Sequence, residues 1–115
     1  MEMSSPLTIL FIFLSLIMIN HLYVVSFTQW CIATLTATNA QLQENIDFAC
    51  SQGVDCGPIQ PGGSCFIPNT IAHHASFVMN AYYQSNGRIM KACSFKNTGT
   101  LTDTDPSSGS CVYGS

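Results

Sequence analysis

Six cysteines, at positions 31, 50, 56, 65, 93 and 111, constrain this chain more than any other feature. All of them follow an apolar run, Leu7 to Ile19, reading LTILFIFLSLIMI. Such a run fits the hydrophobic region of a secretory signal, and Val24 and Ser26 offer small or modest side chains before a cleavage point. The expectation is a signal peptide over 1–26 and a single domain over 27–115. The leader departs from the usual pattern in carrying Glu2 and no Lys or Arg. An uncleaved anchor is the competing reading, because Leu7 to Val25 is just long enough to span a bilayer. A small exported domain has a thin core, so an even cysteine count reads as three disulfides. Zinc is disfavoured, since neither a C-x2-C pair nor an H-x3-5-H occurs. No metal or cofactor is expected.

Charge narrows the partners. Only 8% of residues are charged and the formal net charge is −3. The basic residues are Arg88, Lys91 and Lys96, too few to track a phosphate backbone, so nucleic acid is not an expected partner. Neutral amides and hydroxyls dominate the remainder of 27–115. Such a surface suits a neutral, hydroxyl-rich ligand, although ordinary extracellular solubility explains it equally well.

Periodicity places two helices. Thr38 to Gln41 has the form of a capping box, and Leu42, Ile46, Ala49 and Cys50 then fall on one helical stripe. Gly53 is the expected stop. The run Gly57 to Gly63 is too rich in Gly and Pro for a helix or central strand and reads as a loop. A second helix is expected from an Asn69 cap, with Ile71, Ala75, Val78 and Tyr82 as its core stripe. His73, Phe77, Asn80 and Gln84 form the neighbouring face, and Gly87 ends the helix. Thr98 to Thr102 and Cys111 to Tyr113 flank a turn-like segment and predict an antiparallel hairpin. The fold class is therefore α+β: a small disulfide-rich domain with two helices and a small antiparallel β-sheet.

Catalytic constellations are absent from the pattern. Glycoside hydrolysis needs two carboxyls facing each other across a bond. Glu44 and Asp47 share one helical wall, while Asp103 and Asp105 share one loop. His73 and His74 are helical neighbours pointing about 100° apart and cannot chelate jointly. An enzyme is not expected. The aromatic residues are Trp30, Phe48, Phe66, Phe77, Tyr82, Tyr83, Phe95 and Tyr113, apart from those near the leader. Most must pack in a thin core. Tyr82 lies on the core stripe and Tyr83 off it, so at least one of the pair is expected to face outward or toward another element. Taken alone, these patterns describe a secreted disulfide-stapled module of unspecified ligand.

Several segments together resemble a known plant family. They are Trp30-Cys31-Ile32-Ala33, Asp47-Phe48-Ala49-Cys50, and Pro58-Ile59-Gln60-Pro61-Gly62-Gly63-Ser64-Cys65-Phe66 with Pro68-Asn69-Thr70. His74-Ala75-Ser76, Asn80 with Tyr82-Tyr83-Gln84, and Gly109-Ser110-Cys111-Val112-Tyr113 continue the match. The chain resembles the X-eight domain, carbohydrate-binding module family 43, over Trp30 to Tyr113. The resemblance implies a non-catalytic module that binds β-1,3-glucan, the polymer of callose. It further implies a secreted, cell-wall location, which for some members is the plasmodesmata. The chain stops four residues after Cys111, so it is expected to be a stand-alone monomer without a glycolipid anchor. Carried over from the family, the pairing is Cys31–Cys93, Cys50–Cys56 and Cys65–Cys111. The short Cys50–Cys56 staple suits a helix ending just before Gly53.

Four positions depart from the family pattern. Phe77 stands where the family usually has Tyr, Ser94 where Asp is frequent, Ser108 where Tyr is frequent, and His73 where Ala is common. Losing sugar affinity and contacting other proteins instead is the alternative function. For glucan binding, the expected surface joins the loop Gln60 to Phe66 with the second helix. It comprises Gln60, Phe66, Phe77, Asn80, Tyr83 and Gln84. Packing of that helical face against the hairpin is the competing reading.

Overall fold

The computed structural model describes residues 6–12 and 27–115. The expected leader over 1–26 therefore lies outside the described residues except for 6–12, which are helical. Among the described residues, no helix is long and apolar enough to cross a membrane.

Strand β1 (Trp30–Ala33) opens the domain, and helix α1 (Asn39–Ser51) follows. A 3-10 turn at Gly57–Ile59 leads to helix α2 (Ile71–Ser85). Two further 3-10 turns, Met90–Cys93 and Phe95–Asn97, precede strand β2 (Gly99–Thr102). The α+β class with two principal helices and a small antiparallel sheet is thus the observed architecture.

The helix ends follow from local chemistry. Thr38 Oγ1 accepts the Gln41 N–H at 3.2 Å, and Gln41 Oε1 accepts the Thr38 N–H at 2.9 Å, closing the capping box. Both helix donors are satisfied before propagation begins. Thr70, one residue beyond the expected Asn69, caps α2 by accepting the His73 N–H at 3.2 Å. Gly53 has φ +93° just past α1, where a side chain would be strained.

The sheet corrects the predicted hairpin. β2 pairs antiparallel with β1, setting Cys31 opposite Leu101 and Ala33 opposite Gly99. Cys111–Tyr113 is not a strand partner; Cys111 makes only an isolated bridge with Ser108. Two local contacts favour the observed pairing. Cys31 is bonded to Cys93, six residues before Gly99. The chain at Gly99 also runs so close to the Cys93 carbonyl that a Cβ there would collide with it. The far end is held elsewhere, with Cys111 bonded to Cys65 and the Tyr113 N–H donating to Ser107 Oγ at 2.8 Å.

All three disulfides have the pairing implied by the family: Cys31–Cys93, Cys50–Cys56 and Cys65–Cys111. Two apolar clusters surround the long-range pair. Trp30, Ile59, Val78 and Tyr113 pack around Cys65–Cys111, while Leu42, Met79, Tyr83 and Ala92 pack around Cys31–Cys93. Each cluster is small, and each is closed covalently, as a domain of this size requires.

Candidate functional site

The residues expected to form a binding face take different places. Gln60 is exposed in the loop between Cys56 and Cys65, where its carbonyl accepts the Gly63 N–H at 2.8 Å. Phe66 is half-buried and stacked on His74, with ring centroids 5.4 Å apart, and His74 Nε2 lies 2.8 Å from the Phe66 carbonyl. Phe77 is half-buried and meets Tyr113 edge-on at 5.4 Å. Burial pushes the Tyr113 phenol up to about 12. Gln84 is half-buried; its Nε2 donates to the Gln29 carbonyl at 3.0 Å and to Asn80 Oδ1 at 3.2 Å.

Asn80 and Tyr83 require correction. They are 1% and 3% exposed, so neither presents its side chain to a ligand. Asn80 Oδ1 accepts the Cys31 N–H at 3.0 Å, and Asn80 Nδ2 donates to the Gly114 carbonyl at 2.9 Å. The amide lies on the expected helical face, but β1 and the C-terminal tail cover it. Tyr83 packs with Met79, Ala92 and Cys93. The expected order of the two tyrosines is reversed: Tyr83 is core, and Tyr82 is half-buried at the surface.

Tyr82 belongs to a cleft of about 600 Å³ between α1, α2 and the 3-10 turns. Three rings from these three regions meet there. Phe48 and Tyr82 are 5.2 Å apart, Tyr82 and Phe95 5.6 Å, and Phe48 and Phe95 6.2 Å, all edge-to-face. Each contact is an electrostatically preferred aromatic geometry. The three rings brace one another, and Phe48 remains 44% exposed. Helical spacing explains the grouping on α1, because Glu44 and Phe48 are one turn apart and both line the cleft. At the end of α2, Tyr82 and the capping residue Asn86 are likewise one turn apart, and Asn86 Nδ2 donates to the Tyr82 carbonyl at 2.8 Å.

Phe95 reaches the cleft through an unusual backbone. Phe95, Lys96 and Asn97 all have positive φ, at 43°, 51° and 67°. Three successive non-glycine residues in this region cost on the order of 1–3 kcal/mol each. The surrounding structure must hold the turn, and it does so at both ends. Cys93 is disulfide-bonded before the turn, and Thr98 Oγ1 donates to the Phe95 carbonyl after it.

Polar groups complete the cleft. Glu44, Asn45, Asn86, Ser94, Lys91 and Lys96 line it beside the rings. Ser94, one of the family departures, donates from Oγ to the Lys91 carbonyl at 2.8 Å. An aromatic wall with hydroxyl, amide and charged groups around it can stack a flat apolar face while hydrogen-bonding the groups on its rim. Sequence reasoning included Phe48 and Phe95 among the aromatics but did not bring them together. The available signal was Phe48, an aromatic on the polar side of an amphipathic helix.

A sequence profile of the X8 domain matches residues 29–100. The chain belongs to the X8 domain family. It is 56% identical over 86 residues to the major pollen allergen Ole e 10 of Olea europaea, covering 74% of this chain and 70% of the allergen. A glucan endo-1,3-beta-D-glucosidase of Olea europaea is 55% identical over 84 residues. That match covers 73% of this chain but only 18% of the glucosidase. Plasmodesmata callose-binding protein 5 of Arabidopsis thaliana is 48% identical over 85 residues, covering 73% of this chain and 47% of that protein. The X8 domain is thus shared by proteins of different length, and this chain spans only part of the longer ones.

Proposed function

We propose that this X8 domain is a non-catalytic module that binds β-1,3-glucan in the cleft walled by Phe48, Tyr82 and Phe95. The observation that carries the reading is the braced aromatic trio beside an amide- and hydroxyl-bearing rim. A β-linked glucan offers flat C–H faces for the rings and hydroxyls for the rim. The names of two kinds of relative, a callose-binding protein and glucan endo-1,3-beta-D-glucosidases, point to the same polymer.

Binding without hydrolysis follows from the carboxylates. Glycoside cleavage places two of them on opposite sides of the scissile bond. Glu44 lines the cleft; Asp47, on the same helix, accepts from Gln43 Nε2 at 2.9 Å and does not line it. The relatives that hydrolyse glucan by name are more than five times as long as the matched segment.

The same reading places the protein outside the cell as a monomer in the wall, after removal of 1–26. Its three disulfides suit an oxidising compartment. A pulldown on insoluble β-1,3-glucan, with cellulose as control, tests the proposal. Retention on the glucan alone supports it. Retention on neither polymer, or equal retention on both, overturns it. The loop surface at Gln60 and Phe66 supplies the comparison: Phe66→Ala should leave retention intact if the cleft is the site.

A further inference from the structure

Asn45 lines the cleft and is only 7% exposed, an amide on the buried side of α1 with Leu42 and Ala49. Its side chain is oriented by a chain of committed protons. The Phe95 carbonyl can only accept, so Thr98 Oγ1, hydrogen-bonded to it, must donate its single proton there. Toward Asn45 the same hydroxyl oxygen can then only accept. The atom facing it at 2.7 Å is therefore the amide nitrogen, Asn45 Nδ2. The second contact of Nδ2, to Met79 Sδ at 3.6 Å, also uses it as donor. Both donor directions of the amide are thus occupied on the protein side.

Oδ1 is left over. It accepts no hydrogen bond from the described residues, and it is not among the polar atoms sealed from solvent without a partner. Asn45 lines the cleft, which is the open space beside this residue. We infer that Asn45 Oδ1 is the fixed acceptor that reads a hydroxyl of the bound sugar, and that Thr98 is the positioning residue that fixes which way the amide points. The inference rests on the glucan reading of this cleft and deepens it. An amide free to turn would present a donor as readily as an acceptor. The Thr98–Phe95 bond removes that choice before the ligand arrives, so no ordering is left for binding to supply. The same bond anchors the left-handed turn carrying Phe95, so ring and acceptor are set by one local structure.

The test uses the intact domain and a soluble β-1,3-gluco-oligosaccharide. Isothermal titration gives affinity, and NMR follows the Asn45 side-chain amide resonances in the unsubstituted protein. The expected result is a ligand-dependent shift of the Asn45 amide. Thr98→Val should weaken binding roughly five- to tenfold, and Thr98→Ser, which keeps the hydroxyl, should restore most of it. Failure of the unsubstituted protein to bind at all would remove the glucan reading and this inference with it. Binding with an unmoved Asn45 amide would overturn the inference alone. So would a folded Thr98→Val variant that binds as tightly as the parent. Should Thr98→Val not fold, the NMR titration of the unsubstituted protein decides.

Discussion

The side-chain oxygen of Asn80 accepts the backbone N–H of Cys31 across 49 residues of sequence, at 3.0 Å. Three parts of the domain meet at that one amide: β1 through Cys31, α2 through Gln84 and the C-terminal tail through Gly114. Asn80 is therefore a structural staple of polar character, its burial compensated by two hydrogen bonds accepted at Oδ1 and one donated from Nδ2.

Asn80→Ala should destabilise the domain without touching the cleft. It strands a buried N–H at Cys31 and frees the Gly114 carbonyl and the Gln84 amide. A stranded buried polar group costs about 1–3 kcal/mol. A lower midpoint in urea, with unchanged glucan retention for the folded fraction, is the expected outcome.

The disulfides should differ in worth according to the loops they close. Cys31–Cys93 and Cys65–Cys111 are 62 and 46 residues apart, while Cys50–Cys56 is 6 apart. Chain-entropy arguments assign about 4 kcal/mol to each long bridge and about 2 kcal/mol to the short one. Replacing both cysteines of one bridge by Ala should therefore lower the thermal midpoint least for Cys50–Cys56. Melting curves of the three double variants check the order.

Gly99→Ala should not fold normally. The added Cβ would collide with the Cys93 backbone carbonyl, which is tied to β1 by Cys31. The strand pairing and the disulfide cannot both keep their positions. Loss of protease-resistant product would show this.

Much of the helical part was legible from the chain, and the reasons are local. A capping box at Thr38 and an apolar stripe from Leu42 to Ala49 need only neighbouring residues to be read. The sheet was half legible. The Thr98 to Thr102 run does hold β2, yet its partner lies about 70 residues upstream and not in the next apolar run. Strand periodicity carries no information on the choice of partner. The buried amide Asn80 read as a surface residue because its hydrogen-bond partners Cys31 and Gly114, distant in sequence, are what make burial tolerable. Phe95 entered the cleft through left-handed backbone at three non-glycine residues, for which the sequence has no signal.

Stability should fall at alkaline pH through Tyr113. Burial raises its folded pKa to about 12, against an ordinary value of 10.0. The unfolded chain then gives up the phenol proton first. The contribution is fully present below about pH 10 and is lost as pH rises toward 12. Tyr113→Phe should flatten the fall in thermal midpoint between those values, measured against the parent.

Glucan binding should respond weakly to salt. A neutral polymer has no condensed counterions to release and offers no anionic group to Lys91 and Lys96, which line the cleft. Retention on insoluble glucan at low and at high sodium chloride should match; a steep loss would indicate an anionic ligand.

The central claim is that the ring trio holds the polymer, and Phe48→Ala tests it most directly. Phe48 is 44% exposed and braces Tyr82 and Phe95 without lying in either buried cluster. Losing two edge contacts costs about 1–3 kcal/mol, which a triply cross-linked domain can absorb. Titration of folded Phe48→Ala with a β-1,3-gluco-oligosaccharide should show binding at least about tenfold weaker than the parent. Parental affinity in that variant, with Phe66→Ala losing it instead, would contradict the account.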